Sequence, residues 1–203
     1  MMGATCIILA GGKSSRMGTN KALLKIEGIT VIERMINELT KIVKHVLVVT
    51  NQFDDYSFIN VPLVEDHYKG KGPLAGIQAG LNAVKTEKNM IVACDLPFVS
   101  SRLAKELLVE LDKYDAVVPE INGQLHPLFG AYHKDCLQVV NRLLDSVQLK
   151  IRQLLNQVHV KIKTSEDFAK FSASYMNIAL YNMNNRQEYE EAVKLVKDHV
   201  TKT

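Results

Sequence analysis

Cysteine is scarce and unpatterned in this chain. Cys6, Cys94 and Cys136 are odd in number and show no C-x-x-C spacing, so no disulfide framework is expected. Buried free thiols in a reducing compartment fit this usage. Long apolar runs are missing as well, and nothing approaches the ~18–20 residues of a membrane span. The opening Met1–Cys6 lacks the charged start and apolar length of a signal peptide. The expectation is a soluble, cytoplasmic protein with no membrane partner. Charge of one sign is not in excess: 25 Lys and Arg stand against 22 Asp and Glu, a net +3. A nucleic-acid partner, which calls for a dense basic face, is therefore not expected, although a local basic pocket for phosphates remains open. His45, His67, His133, His159 and His199 show no metal-ligand spacing. With no low-complexity tract, linker or repeat, residues 1–203 read as one domain.

What is present is an alternation of strand and helix patterns. Thr5–Ala10 is a short apolar run suited to a central parallel strand buried on both faces. Val31–Val43 reads as an amphipathic helix, with Ile32, Met35, Ile36 and Leu39 spaced for one face. Strands are predicted at Val46–Thr50, 61–64, Met90–Ala93, 116–119, 128–132 and 158–162. Helices are predicted from Gly72-Pro73 to Ala83, from Ser100 or Ser101 to Leu111, over 134–145 and 151–156, and from an Asn185…Glu188 capping box to about Val200. This alternation predicts a three-layer α/β/α fold with a mostly parallel sheet. Ligands of such folds bind beyond the carboxyl ends of the strands.

The segment after the first strand, Leu9-Ala10-Gly11-Gly12-Lys13-Ser14-Ser15-Arg16-Met17-Gly18-Thr19-Asn20-Lys21, carries the strongest chemical signal. Glycines let the backbone approach a triphosphate, and successive N–H groups can form an anion-binding concavity. Arg16 offers a planar fork for two phosphate oxygens, and Lys21 a mobile point charge. No G-x-x-x-x-G-K-[ST] occurs, so a P-loop is excluded. Asp95 follows a buried strand, where a carboxylate is a natural Mg²⁺ ligand. Gly70-Lys71-Gly72-Pro73-Leu74-Ala75 mimics a dinucleotide fingerprint, but Pro73 removes an N–H near the phosphate end. It reads better as a turn and a helix start lining a base pocket.

The pattern L-A-G-G-x-x-x-R-M-G-x-x-K-x-L-L at 9–24 resembles the signature of the nucleotide-diphospho-sugar transferase-like superfamily. Together with Gly72–Ile77, Cys94-Asp95-Leu96-Pro97-Phe98 and Asn182–Asn185, it resembles most closely the molybdenum cofactor guanylyltransferases. The matching stretches span nearly the whole chain. The resemblance implies a Rossmann-like fold and transfer of GMP from GTP to the phosphate of molybdopterin, with Mg²⁺ as cofactor. It further implies transient contacts with other proteins of that cofactor's pathway.

Residue by residue, the resemblance assigns Lys21 to the phosphates, Asp95 to the metal, and Leu9, Ala10, Gly11, Gly12 and Gly76 to the nucleotide wall. With Arg16, Lys21 and Asp95 form the expected catalytic set. Asn51 and Asp66 follow the second and third strands, and from sequence alone both read as turn residues. The resemblance places them instead near guanine and ribose. His126, Asn182 and Asn184 match acceptor-side positions, although helix capping is the simpler reading of the asparagines. The family continues that motif with Thr-Pro, where this chain has Asn185-Arg186. Cytidylyl transfer to molybdopterin, nucleotidyl transfer to a sugar phosphate, and a non-catalytic nucleotide-binding adaptor remain as alternatives.

Overall fold

The computed structural model describes residues 1–11 and 20–200. In chain order, β1 (Met2–Leu9) leads through a one-turn 3-10 helix (Lys21–Leu23) to the small hairpin β2 (Lys25–Ile26) and β3 (Ile29–Thr30). Then come α1 (Val31–Leu39), β4 (Val43–Val49), a 3-10 segment (Phe53–Tyr56), β5 (Leu63–Val64) and α2 (Pro73–Ala83). The chain continues through β6 (Lys88–Ala93), α3 (Ser101–Glu110), β7 (Ala116–Ile121), β8 (Gln124–Leu125), β9 (Phe129–His133), α4 (Cys136–Asp145) and α5 (Ile151–Leu155). It ends with β10 (Val160–Thr164), a 3-10 turn (Ser165–Phe168), α6 (Ala173–Ala179) and α7 (Arg186–Val200).

The main sheet runs β10-β7-β9-β6-β1-β4-β5, with β8 added to β7. Pairs β1–β4, β1–β6, β4–β5 and β7–β10 are parallel. Strand β9 alone on this path runs backwards, antiparallel to both β6 and β7. The buried strand β1 sends Cys6 and Ile8 to one face and Ile7 and Leu9 to the other. On the first face lie α1, α3, α6 and Ala192 of α7; on the second lie α2, α4 and α5. The layers are those of an α/β/α fold, as the alternation predicts.

Local chemistry sets the element ends. Thr30 accepts from the Glu33 amide while the Glu33 carboxylate accepts from the Thr30 amide, a capping box that starts α1. That helix stops at Leu39, four residues before its expected end. Val43 is instead taken by β4, pairing with Met2, so sheet formation overrides the helical spacing of Ile42 and Val43. Ser100 is the cap of α3. The hairpin β2–β3 turns on Glu27 and Gly28, with φ values of 51° and 82°, a two-residue turn of the kind that suits strand twist. Among the described residues, no helix is long and apolar enough to cross a membrane.

Candidate active site

The carboxyl ends of four neighbouring parallel strands open into one cleft. Leu9 and Ala10 after β1, Val49 of β4, Asp66 beyond β5, and Ala93, Cys94 and Asp95 after β6 line a cavity of about 350 Å³. Gly11, Asn20, Lys21, Gly72, Pro73 and Gly76 complete its wall. Backbone hydrogen bonds fix these exits against one another: the Ala10 amide donates to the Val49 carbonyl at 2.9 Å, and the Cys94 amide to the Leu9 carbonyl at 3.1 Å. Gly72, at φ 72°, makes the turn into α2, and Pro73 opens that helix without needing an N–H partner. At Gly76 a Cβ would lie 3.3 Å from Leu9 Cδ2, so this glycine sets how closely α2 approaches β1 beside the cleft.

Asp95 is the hinge of the site. It lines the first cavity and also a second one of about 220 Å³ that includes Gln124, His126, Asn182 and Asn184. A third cavity of about 350 Å³ shares Gln124, His126, Asn182 and Asn184 and adds Asn122, Asn177, Tyr181 and Glu188. The first and second compartments thus meet at one buried carboxylate, and the third adjoins the second through the residues they share. Asp95 Oδ1 is shielded from solvent and has no hydrogen-bond partner among the described residues. Burial pushes the Asp95 carboxyl above its ordinary pKa; the Lys21 ammonium and a backbone N–H pull it back, and Glu188 adds to the rise.

Lys21 stands on the same spot from the other side. Its Nζ donates to Asn184 Oδ1 at 2.8 Å. The Met183 amide donates to the Asp95 carbonyl at 2.8 Å, which holds the Asn182–Asn184 strip beside Asp95. The Asn184 amide in turn donates to the Glu188 carboxylate, while the Asn185 side chain accepts from the Glu188 amide at 2.9 Å and caps α7. The reciprocal half of the expected capping box therefore goes to Asn184 rather than Asn185. Glu188 holds this strip in a chain that has no Thr-Pro after Asn184.

The remaining sequence-derived residues divide. Leu9, Ala10, Gly11, Lys21, Asp66, Gly76 and Asp95 line the first cavity; His126, Asn182 and Asn184 line the other two. Asn51 does not line the cleft: its carboxamide oxygen accepts from the Asp66 amide at 3.0 Å, and Asp66 Oδ1 accepts from the Tyr68 amide at 2.8 Å. Asn51 thus acts as the brace of Asp66, close to the turn role its residue type suggests. Gly12 and Arg16 lie outside the described residues. His126 is half-buried, and burial lowers its pKa below the ordinary histidine value.

A family model, the MobA-like NTP transferase domain, matches residues 6–162. The chain belongs to this family. Among MobA-like relatives, a probable molybdenum cofactor guanylyltransferase of Carboxydothermus hydrogenoformans is 38% identical, covering 96% of this chain and 98% of the relative. A protein of the same description from Bacillus cereus is 39% identical over 93% of this chain and 94% of its own. The fold matches the solved structure of molybdopterin-guanine dinucleotide biosynthesis protein A from Archaeoglobus fulgidus with a TM-score of 0.83, at 22% identity and coverage of 96% and 99%.

Within this MobA-like frame, the site holds residues that sequence reading passed over. Asn20, Cys94 and Leu128 line the first cavity, and Gln124, Asn122, Asn177, Tyr181 and Glu188 the second and third. Asn20 sits directly before Lys21 and was legible as its neighbour. Asn177 and Tyr181 lie on or after α6, an element with no strong sequence pattern, and only the tertiary fold brings them to the cleft.

Proposed function

We propose that the protein transfers GMP from GTP to the phosphate of molybdopterin, releasing pyrophosphate, with Mg²⁺ as cofactor. The observation that carries this reading is the meeting of two compartments at Asp95, with Lys21 on the wall of the first donating to Asn184 on the wall of the second. Such a layout suits two substrates whose phosphates come together at one point. The names of the curated relatives support guanylyl transfer and molybdopterin as the acceptor.

The donor set fits magnesium. Among the described residues Asp95 Oδ1 is buried and unpartnered, and no group of three or more His, Cys, Asp and Glu that could hold a metal occurs. Mg²⁺ is commonly bound by one or two carboxylates together with substrate phosphates and water, rather than by an all-protein cage. When bound at Asp95, the ion supplies charge neutralisation of the triphosphate. Asn182 and Asn184 offer further oxygen donors beside it.

The chain's own residues do the rest. Gly11 permits close backbone approach, and the wall at Asp66 and Gly72–Gly76 receives the base and ribose. Lys21, held by Asn184, sets a positive charge where negative charge grows on the α-phosphoryl group. An acceptor phosphate oxygen forms the new bond to the α-phosphorus, and the bond to the β-phosphate oxygen breaks. The electron pair leaves with pyrophosphate. The attacking phosphate is ionised near neutral pH, so no general base is needed, and positioning and electrostatics provide the rate.

Incubation with GTP, Mg²⁺ and loaded molybdopterin, followed by mass detection, is expected to yield a GMP-conjugated pterin. GTP is expected to outperform CTP, UTP and ATP in pyrophosphate release. A preference for CTP would move the reading to cytidylyl transfer. GTP binding with no product from any nucleotide would overturn it in favour of a non-catalytic nucleotide-binding protein.

A further inference from the structure

Tyr56 ends the short 3-10 segment after β4, and its side chain is fully buried. A phenylalanine would fill the same space, so the hydroxyl needs a reason to be there, because a buried hydroxyl is costly unless hydrogen-bonded. Its partners all belong to the nucleotide wall. Asn20 Nδ2 donates to the Tyr56 oxygen at 3.0 Å. The Tyr56 hydroxyl lies 3.4 Å from the Ala10 carbonyl and 3.2 Å from Asn20 Oδ1, both acceptors for its one proton. Asn20 Oδ1 already accepts from the Ala22 amide at 3.2 Å, which caps the one-turn helix that begins with Lys21. The arrangement that satisfies every group has Asn20 donating to Tyr56 and Tyr56 donating to Ala10.

We infer that Tyr56 is a positioning residue for Lys21. Through Asn20 its hydroxyl pins the Lys21–Leu23 turn to the end of β1, and so holds the Lys21 ammonium where it donates to Asn184 and its charge acts on Asp95. The inference rests on the nucleotidyl-transfer reading of this site and adds a residue that touches neither substrate. Burial, with Cys94 close by, pushes the phenol pKa up, which keeps the proton available for donation. A lysine side chain has many rotamers, and its placement by a rigid backbone anchor lowers the entropy lost when it engages a phosphate.

A double-mutant cycle on GTP affinity tests this, using equilibrium dialysis with Mg²⁺ present. Tyr56→Phe keeps the ring, so the core stays filled. It is expected to weaken GTP binding about fivefold, the worth of one hydrogen bond. Lys21→Ala is expected to weaken it more. In the Lys21→Ala background, Tyr56→Phe is expected to add nothing, because its effect passes through the missing ammonium. In turnover, Tyr56→Phe is expected to lower kcat while leaving KM for the acceptor unchanged. Wild-type GTP affinity in Tyr56→Phe, or a full fivefold loss persisting without Lys21, would overturn the inference. Normal GTP affinity and turnover in Lys21→Ala would instead overturn the reading of the site, and the positioning role with it.

Discussion

Lys21 and Asp95 lie 74 positions apart in the chain yet share one cavity wall; the Lys21 ammonium donates to Asn184, and the Asp95 carbonyl accepts from the Met183 amide. Substituting either should spare the fold, since Asp95 follows the end of β6, Lys21 opens a one-turn 3-10 helix, and both line the cavity rather than the core. Lys21→Ala and Asp95→Asn are each expected to lower pyrophosphate release about a hundredfold or more, with the far-ultraviolet circular dichroism unchanged. The residue scale is also where the sequence was most informative. Lys21, Asp95 and Leu9–Gly11 stand out in the sequence by residue type and by their place beyond hydrophobic runs, and the fold brings all of them to one cavity wall. Asn51 shows the opposite case. Its type is compatible with base recognition and with bracing a turn, and only the 3.0 Å bond to the Asp66 amide distinguishes its present partner. Tyr56 was invisible for another reason: nothing in a sequence says which buried tyrosine directs its hydroxyl at a functional loop.

Among the elements, α2 is the one most tightly committed. Its glycines face β1, and a Cβ at Gly80 would lie 2.4 Å from Ile7 Cγ2, an atom next to a branched carbon in the middle of a buried strand. Neither partner can yield without moving backbone. Gly80→Ala is therefore expected to destabilise the protein by about 1–3 kcal/mol, measured as a lower urea midpoint, even though alanine favours a helix. Most other elements follow from local pattern, and their errors are physical. The expected helix through Val43 ends at Leu39 because β4 recruits Val43 to pair with Met2. The strands β2 and β3, two residues each, are too short for a period to register. The helix α6 has seven residues, and its sequence carries few charged positions to mark a solvent face.

At the scale of the molecule, the half-burial of His126 couples the site to global stability. Burial lowers its pKa from 6.5, so the unfolded chain takes up the proton more readily than the folded one. The associated stability is complete above the unfolded value and is lost as pH falls through the folded one. The thermal midpoint is expected to drop on acidification through this range, and His126→Gln is expected to flatten that part of the profile. The layer order was legible from strand–helix alternation, and the turn signal Asn122-Gly123 between the strands at 116–119 and 128–132 marks where the chain reverses, as the antiparallel pairing of β7 with β8 and β9 shows. That reversal has a consequence for how the cavities are walled. The first is walled mostly by segments that leave strands, whereas the second and third also draw on the stretch that enters β9, between Ile121 and Phe129. Changes at Gln124 or His126 in that stretch would therefore recast only the second and third hollows, while Leu128, which borders the first as well, is the point where such tinkering would be felt on both sides.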